Sequence, residues 1–317
     1  MHYFKKLLLP TLLVLLLLVP PIVSWCLLDY SLTPESHNRD YAYKWAQADS
    51  LYPGLHAWHD SLQAIGQRRD TFITAPDGAR LHAVYVRASQ PTRHTAVLVH
   101  GYTDCHIDMM HLGRMYHRDL HMNILLPDLR YAGKSEGTHI QMGWLDRLDV
   151  KQWIRIVPQL FGDSTEVVVH GVSMGAATTM MVSGDHDVPP YVQAYVEDCG
   201  YTSVDEQFSK ELKERFFLPR IPFIPLASVL CNFRYGWKFE EASPLHQVAQ
   251  CTRPMLFIHG TADAFVPTRM VYPLYAAHPG PKALWLTTGT EHAKSYYDYP
   301  QEYTQRVSNF LKQHTPN

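Results

Sequence analysis

The stretch that decides the fold is Thr165-Glu166-Val167-Val168-Val169-His170-Gly171-Val172-Ser173-Met174-Gly175-Ala176-Ala177-Thr178-Thr179-Met180-Met181. Its β-branched run up to His170 suits a strand buried on both faces. The small and helix-tolerant residues after Gly175 suit a helix. Between them, Gly171-Val172-Ser173-Met174-Gly175 has to turn strand into helix within a few residues. So tight a turn strains the backbone of its middle residue, and side chains two positions to either side would collide. The strain lifts the Ser173 hydroxyl clear of the sheet, and the new helix aims its first N–H groups at the same place. A G-x-S-x-G pentapeptide alone is common. Set between strand and helix, it marks Ser173 as a nucleophile.

Working outward, Thr95–His100, Met122–Pro127, Tyr191–Asp198, Met255–His259 and Ala283–Leu286 read as further buried strands. Met109–His121, Trp144–Phe161 and Tyr303–Lys312 read as helices between or after them. Upstream, Asp70–Ala75 and Arg80–Val86 alternate apolar and polar residues around Pro76-Asp77-Gly78, which predicts an antiparallel hairpin. Strand alternating with helix predicts an α/β fold: a mostly parallel central sheet with helices on both faces and the hairpin at its edge. The rhythm breaks between Gly200 and Leu245. There Phe208–Phe217 reads as a helix, and Pro219, Pro222 and Pro225 interrupt an apolar run. This insertion, about 201–245, leaves the carboxyl end of a strand, where such sheets hold ligands. It is expected to be a small cap over the substrate.

The chain begins differently. Lys5 and Lys6 precede Leu7–Leu28, which carries no charge and is wholly aliphatic over Leu12–Val19. Pro10, Pro20 and Pro21 weaken it as a helix, yet its length suffices to span a bilayer. Residues 1–29 are therefore expected to be a signal anchor that leaves the catalytic body outside the cytoplasm. The alternative is a cleaved signal and a secreted or periplasmic body, although no small-x-small cleavage site is present. Residues 30–66 read as a helical lead broken near Pro53-Gly54, and residues 67–315 as the catalytic domain.

With 317 residues, 46% of them hydrophobic, and a net charge of −2, the chain has a packed core and nothing basic enough for nucleic acid. Five cysteines without C-x-x-C spacing imply neither a metal nor a redox motif. Buried free thiols are the default, with a Cys231–Cys251 disulfide left open for an extracytoplasmic body. His117 and His121 share a helical face without a third ligand, so no metal and no cofactor is expected. Nothing in the sequence sets the oligomeric state.

A serine hydroxyl needs a base to take its proton. His292, in Gly289-Thr290-Glu291-His292-Ala293, stands in a loop after the final strand. A carboxylate must hold its tautomer, and Asp263, in the turn before Pro267, is preferred over Asp198 at the preceding strand end. The negative charge of a tetrahedral intermediate needs preorganised donors. The Met174 N–H follows the nucleophile, and the Tyr102 N–H comes from the loop after Thr95–His100.

Elbow, His-Gly turn, Gly260-Thr261-Ala262-Asp263-Ala264-Phe265-Val266-Pro267 and Glu291-His292-Ala293 together resemble the α/β-hydrolase serine hydrolases. Asp128–Gly137, Met142–Arg147 and Glu197–Ser203 resemble a bacterial, often membrane-anchored and mostly uncharacterised branch of them. Tyr131-Ala132 replaces a frequent Gly-His, and Glu291 a frequent Gly. The resemblance implies the α/β-hydrolase fold and a Ser-His-Asp triad. The expected activity is cleavage of a small-molecule or lipid-like carboxylic ester through an acyl-enzyme. A peptidase or amidase on the same scaffold, or a non-catalytic binding protein, are the alternatives.

Overall fold

The computed structural model describes residues 2–315, with side chains from residue 17 onward. It divides into two compact units, one holding Glu35–Thr202 and the chain from Ser243, the other the residues up to Pro34 with Ser203–Ala242. The strands are β1 (Arg68–Thr74), β2 (Arg80–Val86), β3 (His94–Val99), β4 (Asn123–Pro127), β5 (Glu166–Val172), β6 (Val192–Asp198), β7 (Met255–Gly260) and β8 (Lys282–Thr287). In chain order the helices begin with α1 (His2–Leu32), α2 (Tyr41–Leu51), α3 (Leu55–Ala64) and α4 (Met110–Arg114). Next come α5 (Asp146–Phe161), α6 (Met174–Ser183), α7 (Val204–Phe216) and α8 (Arg220–Tyr235). The last are α9 (Pro244–Val248), α10 (Val271–Ala277), α11 (Ser295–Asp298) and α12 (Pro300–His314).

In the larger unit the strands form one sheet in the order β1-β2-β4-β3-β5-β6-β7-β8. The β1–β2 and β2–β4 pairs are antiparallel, and every later pair is parallel. β1, at the sheet edge, keeps an alternating exposure over Asp70–Thr74. The alternation expected for β2 is absent because it lies between β1 and β4 and is covered on both faces. The helix expected over Met109–His121 is a composite, a 3-10 turn (His106–Met109), α4, and a widened turn (Met115–Asp119). Tyr116 in that last turn is fully buried, and its hydroxyl meets His170 at 3.0 Å. The break at Pro53-Gly54 occurs as expected, with Gly54 in the left-handed region that a side chain disfavours.

The smaller unit contains α1, α7 and α8. Ser203 caps α7 by accepting a hydrogen bond from Glu206 N. The proline-interrupted run is helical after all. Only Ile221 departs from helical angles, so Pro222 opens the helix beyond it, where its missing N–H has no intrahelical acceptor to lose, and Pro225, inside the helix, forgoes only a bond to the carbonyl of the non-helical Ile221. The insertion spans Ser203–Ala242, slightly less than 201–245, and its partner is the chain start. α1 continues past the expected boundary at residue 29 to Leu32 because its last turns have a surface to bury. Leu28 and Leu32 are buried, Ser24 Oγ donates to Phe223 O (3.1 Å), and Asp29 pairs with Arg234 (2.7 Å). Pro20 and Pro21 do not interrupt α1.

No helix among the described residues is long and apolar enough to cross a membrane. The side chains of Leu7 to residue 16, the first part of the expected span, lie outside the described residues. All five cysteines are unpaired, and four are buried.

Candidate active site

The β5–α6 turn has the strain that its composition predicts. Ser173 has φ 58° and ψ −118°, a conformation that costs about 1–3 kcal/mol and must be held by its surroundings. A Cβ on Gly171 would lie 2.0 Å from Gly175 O, and one on Gly175 would lie 2.0 Å from Val99 O. Both glycines are therefore demanded by space. From below, Ser173 N donates to Asp198 O (2.8 Å), which pins the turn to the end of β6.

His292 approaches from the loop after β8. Its Nε2 is 2.8 Å from Ser173 Oγ, and its Nδ1 is 2.7 Å from Asp263 Oδ2. Asp263 sits just beyond β7, where its Oδ1 accepts from Phe265 N (3.0 Å) and Val266 N (2.8 Å). Burial alone would raise the Asp263 carboxyl. The His259 and His292 side chains and the Val266 amide outweigh it and hold the group down to about 2. His259, invisible as a site residue in the sequence, lies 3.4 Å from Asp263 Oδ2 and donates from Nε2 to Val266 O (2.9 Å).

The rival acid is engaged elsewhere. Asp198 accepts from Tyr303 Oη (3.0 Å) and Ser295 Oγ (3.1 Å), and burial pushes its carboxyl up to about 6. Behind it a chain of bonds runs from Tyr116 through His170 to Tyr303. Its directions are set by the acid. Tyr303 donates to Asp198, so it accepts from His170 Nε2–H, and His170 Nδ1 accepts from Tyr116.

The Met174 N–H opens α6 and has no intrahelical acceptor, so it is available to a ligand oxygen. The Tyr102 N–H belongs to the same planar peptide as the Gly101 carbonyl, and the two point in opposite directions. His100 Nδ1 holds that carbonyl at 2.8 Å, while its Nε2 accepts from Leu129 N at 2.9 Å. These partners require the neutral Nδ1–H tautomer, and burial, lowering the imidazole pKa, favours the neutral form. His100 thus sets which way the Tyr102 N–H faces.

A model of the prolyl oligopeptidase family matches residues 145–317, more than half of the chain and the part that carries Ser173, Asp263 and His292. The chain belongs to this family. It is 29% identical over 255 residues to the uncharacterized protein YqkD of Bacillus subtilis, covering 80% of this chain and 83% of that one. The fold is similar to that of the Pyrococcus furiosus esterase Pf2001, with a TM-score of 0.63, 23% identity, and coverage of 78% and 93% of the two chains. It is also similar to an acylaminoacyl peptidase bound to Z-Gly-Gly-Phe-chloromethyl ketone, with a TM-score of 0.57, 15% identity, and coverage of 78% and 41%. This member of the prolyl oligopeptidase family is an α/β-type serine hydrolase with the α/β-hydrolase fold.

In this prolyl oligopeptidase family member, Asp128–Gly137 and Met142–Arg147 make contacts apart from Ser173, His292 and Asp263. Asp128–Gly137 wraps around the Asp128 carboxylate, which accepts from His106 N (2.8 Å), His82 Nδ1 (2.7 Å) and Lys134 N (3.0 Å). A Cβ on Gly133 would sit 1.9 Å from that carboxylate. Asp146 accepts from Gly143 N (2.8 Å), and Asp149 pairs with Arg130 (2.6 Å). Glu291, exposed, pairs with Lys294.

Proposed function

We propose that the chain hydrolyses carboxylic esters through an acyl-enzyme on Ser173. The observation that carries this is the continuous line from Asp263 through His292 to Ser173 Oγ, with contacts of 2.7 and 2.8 Å. His292 takes the Ser173 proton as Oγ attacks the ester carbonyl. Charge then grows on the former carbonyl oxygen, facing the Met174 and Tyr102 N–H groups. Asp263, kept ionised, stabilises the imidazolium until His292 passes its proton to the leaving alkoxide. Water, deprotonated by His292, releases the acid and restores Ser173.

An alkoxide leaves with less assistance than an amine, and these groups suffice for it. Peptide cleavage is the second reading, favoured by the family match. The test is the full chain with p-nitrophenyl esters of short to long acyl chains beside peptidyl p-nitroanilides. Faster ester turnover is expected, and a higher kcat/KM for the anilides would overturn the ester assignment. A chain whose Ser173 does not react with a fluorophosphonate would be a binding protein.

The reading extends to location. We infer that α1 is retained and tethers the body to a membrane, outside the cytoplasm. In support, Lys5 and Lys6 precede the uncharged run, and the end of that run, at Ser24 and Leu28, packs with Leu32 just beyond it into the smaller unit. Full-length protein should remain with membranes after an alkaline carbonate wash. Full-length protein in the soluble cytoplasm would end this proposal, and a shortened soluble exported form would replace it with a cleaved signal.

A further inference from the structure

The oxyanion loop has an acidic neighbour that the catalytic line does not use. The position where Gly101 lacks a Cβ is 2.8 Å from Asp104 Oδ2 on one side and 3.6 Å from Ser173 Cβ on the other. The Asp104 carboxylate therefore stands against the backbone of the loop proposed to hold the intermediate's negative charge, at the residue next to Tyr102. Two like charges so placed oppose each other, and the Tyr102 N–H would be working against its own loop.

A cation answers this charge, and it comes from outside the catalytic elements. Lys44 lies on α2, with its side chain only 7% exposed. Its Nζ is 2.9 Å from Asp108 Oδ1 and 3.4 Å from Asp104 Oδ1. Asp108 Oδ2 in turn accepts from Cys105 N (2.9 Å), which closes the loop against the 3-10 turn. The helix is placed to deliver this charge. Asp40 caps its first turn by accepting from Tyr43 N (3.1 Å), and Trp45 and Ala48 on either side of the next turn are buried in the core. Lysine is an expensive residue to bury unless its charge is needed where it ends.

We propose that Lys44 is a positioning residue for catalysis, the cation that offsets Asp104 so that the oxyanion loop can face a developing negative charge. This rests on the serine-hydrolase reading above and adds a role for the helical lead. The charged groups facing Asp104 are Lys44 from α2 and Asp108 from the 3-10 turn, and its carboxylate also accepts from the Gly101 backbone. Loss of water around Asp104 and then the Asp108 charge raise its carboxyl to about 7, and Lys44 opposes both. Without Lys44 the carboxyl titrates higher still. The harm then appears as pH rises and Asp104 ionises, and fades as pH falls and it is protonated.

The experiment compares wild type, Lys44→Gln, Asp104→Asn and the double variant in the full chain. It measures kcat and KM separately on a p-nitrophenyl ester between pH 6 and 9, together with the rate of fluorophosphonate labelling. Lys44→Gln is expected to lose kcat progressively as pH rises, by about 10- to 100-fold at pH 9, with KM within about twofold and a smaller loss at pH 6. The double variant is expected to return to within about threefold of wild type, because the carboxylate beside Gly101 of the oxyanion loop is gone and Asp108, which remains, keeps its bond from Cys105 N. A Lys44→Gln enzyme with wild-type kcat, or a loss that Asp104→Asn does not relieve, would overturn the proposal. If Lys44→Gln does not fold, the double variant is compared with Asp104→Asn alone. Equal kcat supports the proposal and a tenfold gap overturns it. Failure of wild type to react with the fluorophosphonate would instead overturn the serine-hydrolase reading.

Discussion

Replacing Ser173 with alanine is expected to lower ester turnover by at least about a thousandfold, leaving only what the oxyanion donors contribute without a nucleophile. The fold should be untouched, with a melting temperature within about 2 °C of wild type. The hydroxyl's bond is to His292, and the backbone bonds that hold the turn, from Ser173 N to Asp198 O and from Ala177 N to Ser173 O, involve no side-chain atom of residue 173. Steady-state kinetics and thermal melts on the same preparation check both halves. Turnover above about a thousandth of wild type would remove Ser173 from the nucleophile's role.

Asp263→Asn is expected to cost about ten-thousandfold in kcat. The amide cannot stabilise the imidazolium, and if its NH2 faces Nδ1 it favours the wrong tautomer of His292. Asp198→Asn should behave in the opposite way. Asparagine has one acceptor oxygen where Asp198 offers two, to Tyr303 and Ser295, so one buried hydroxyl faces an NH2 group. That should lower stability by about 1–3 kcal/mol while kcat stays within about tenfold of wild type. The assignment fails if Asp198→Asn is inactive and Asp263→Asn nearly normal.

Some of this was legible in the chain and some was not, for physical reasons. Gly171, Ser173 and Gly175 are readable because a five-residue turn leaves no freedom in what fits. His292 and Asp263 are readable because each follows a recognisable strand. The burial of β2 was not, because alternation in one strand says nothing of which strand will pair beyond it. The helix through Pro222 and Pro225 was missed because proline breaks a helix interior, whereas Pro222 opens this helix and Pro225 forgoes only a bond to the non-helical Ile221. The end of α1 was missed because its packing partner lies about two hundred residues away in α8. Lys44 has the same character. In sequence it is one lysine in an amphipathic helix, and only its 2.9 Å approach to Asp108 distinguishes it from a solvated one.

The network beneath the nucleophile also has a meaning in time. Ser173 is held from below by Asp198, and Asp198 is held by Ser295 of α11 and Tyr303 of α12. During synthesis the nucleophile's turn emerges from the ribosome long before those two hydroxyls, and before His292 itself. A nascent chain that has already paired β3, β5 and β6 therefore carries a serine without its base and a buried carboxylate without its donors. On the proposed reading, a growing chain acquires its hydrolytic function only after the loop that follows β8 has been made and brings His292 to Ser173.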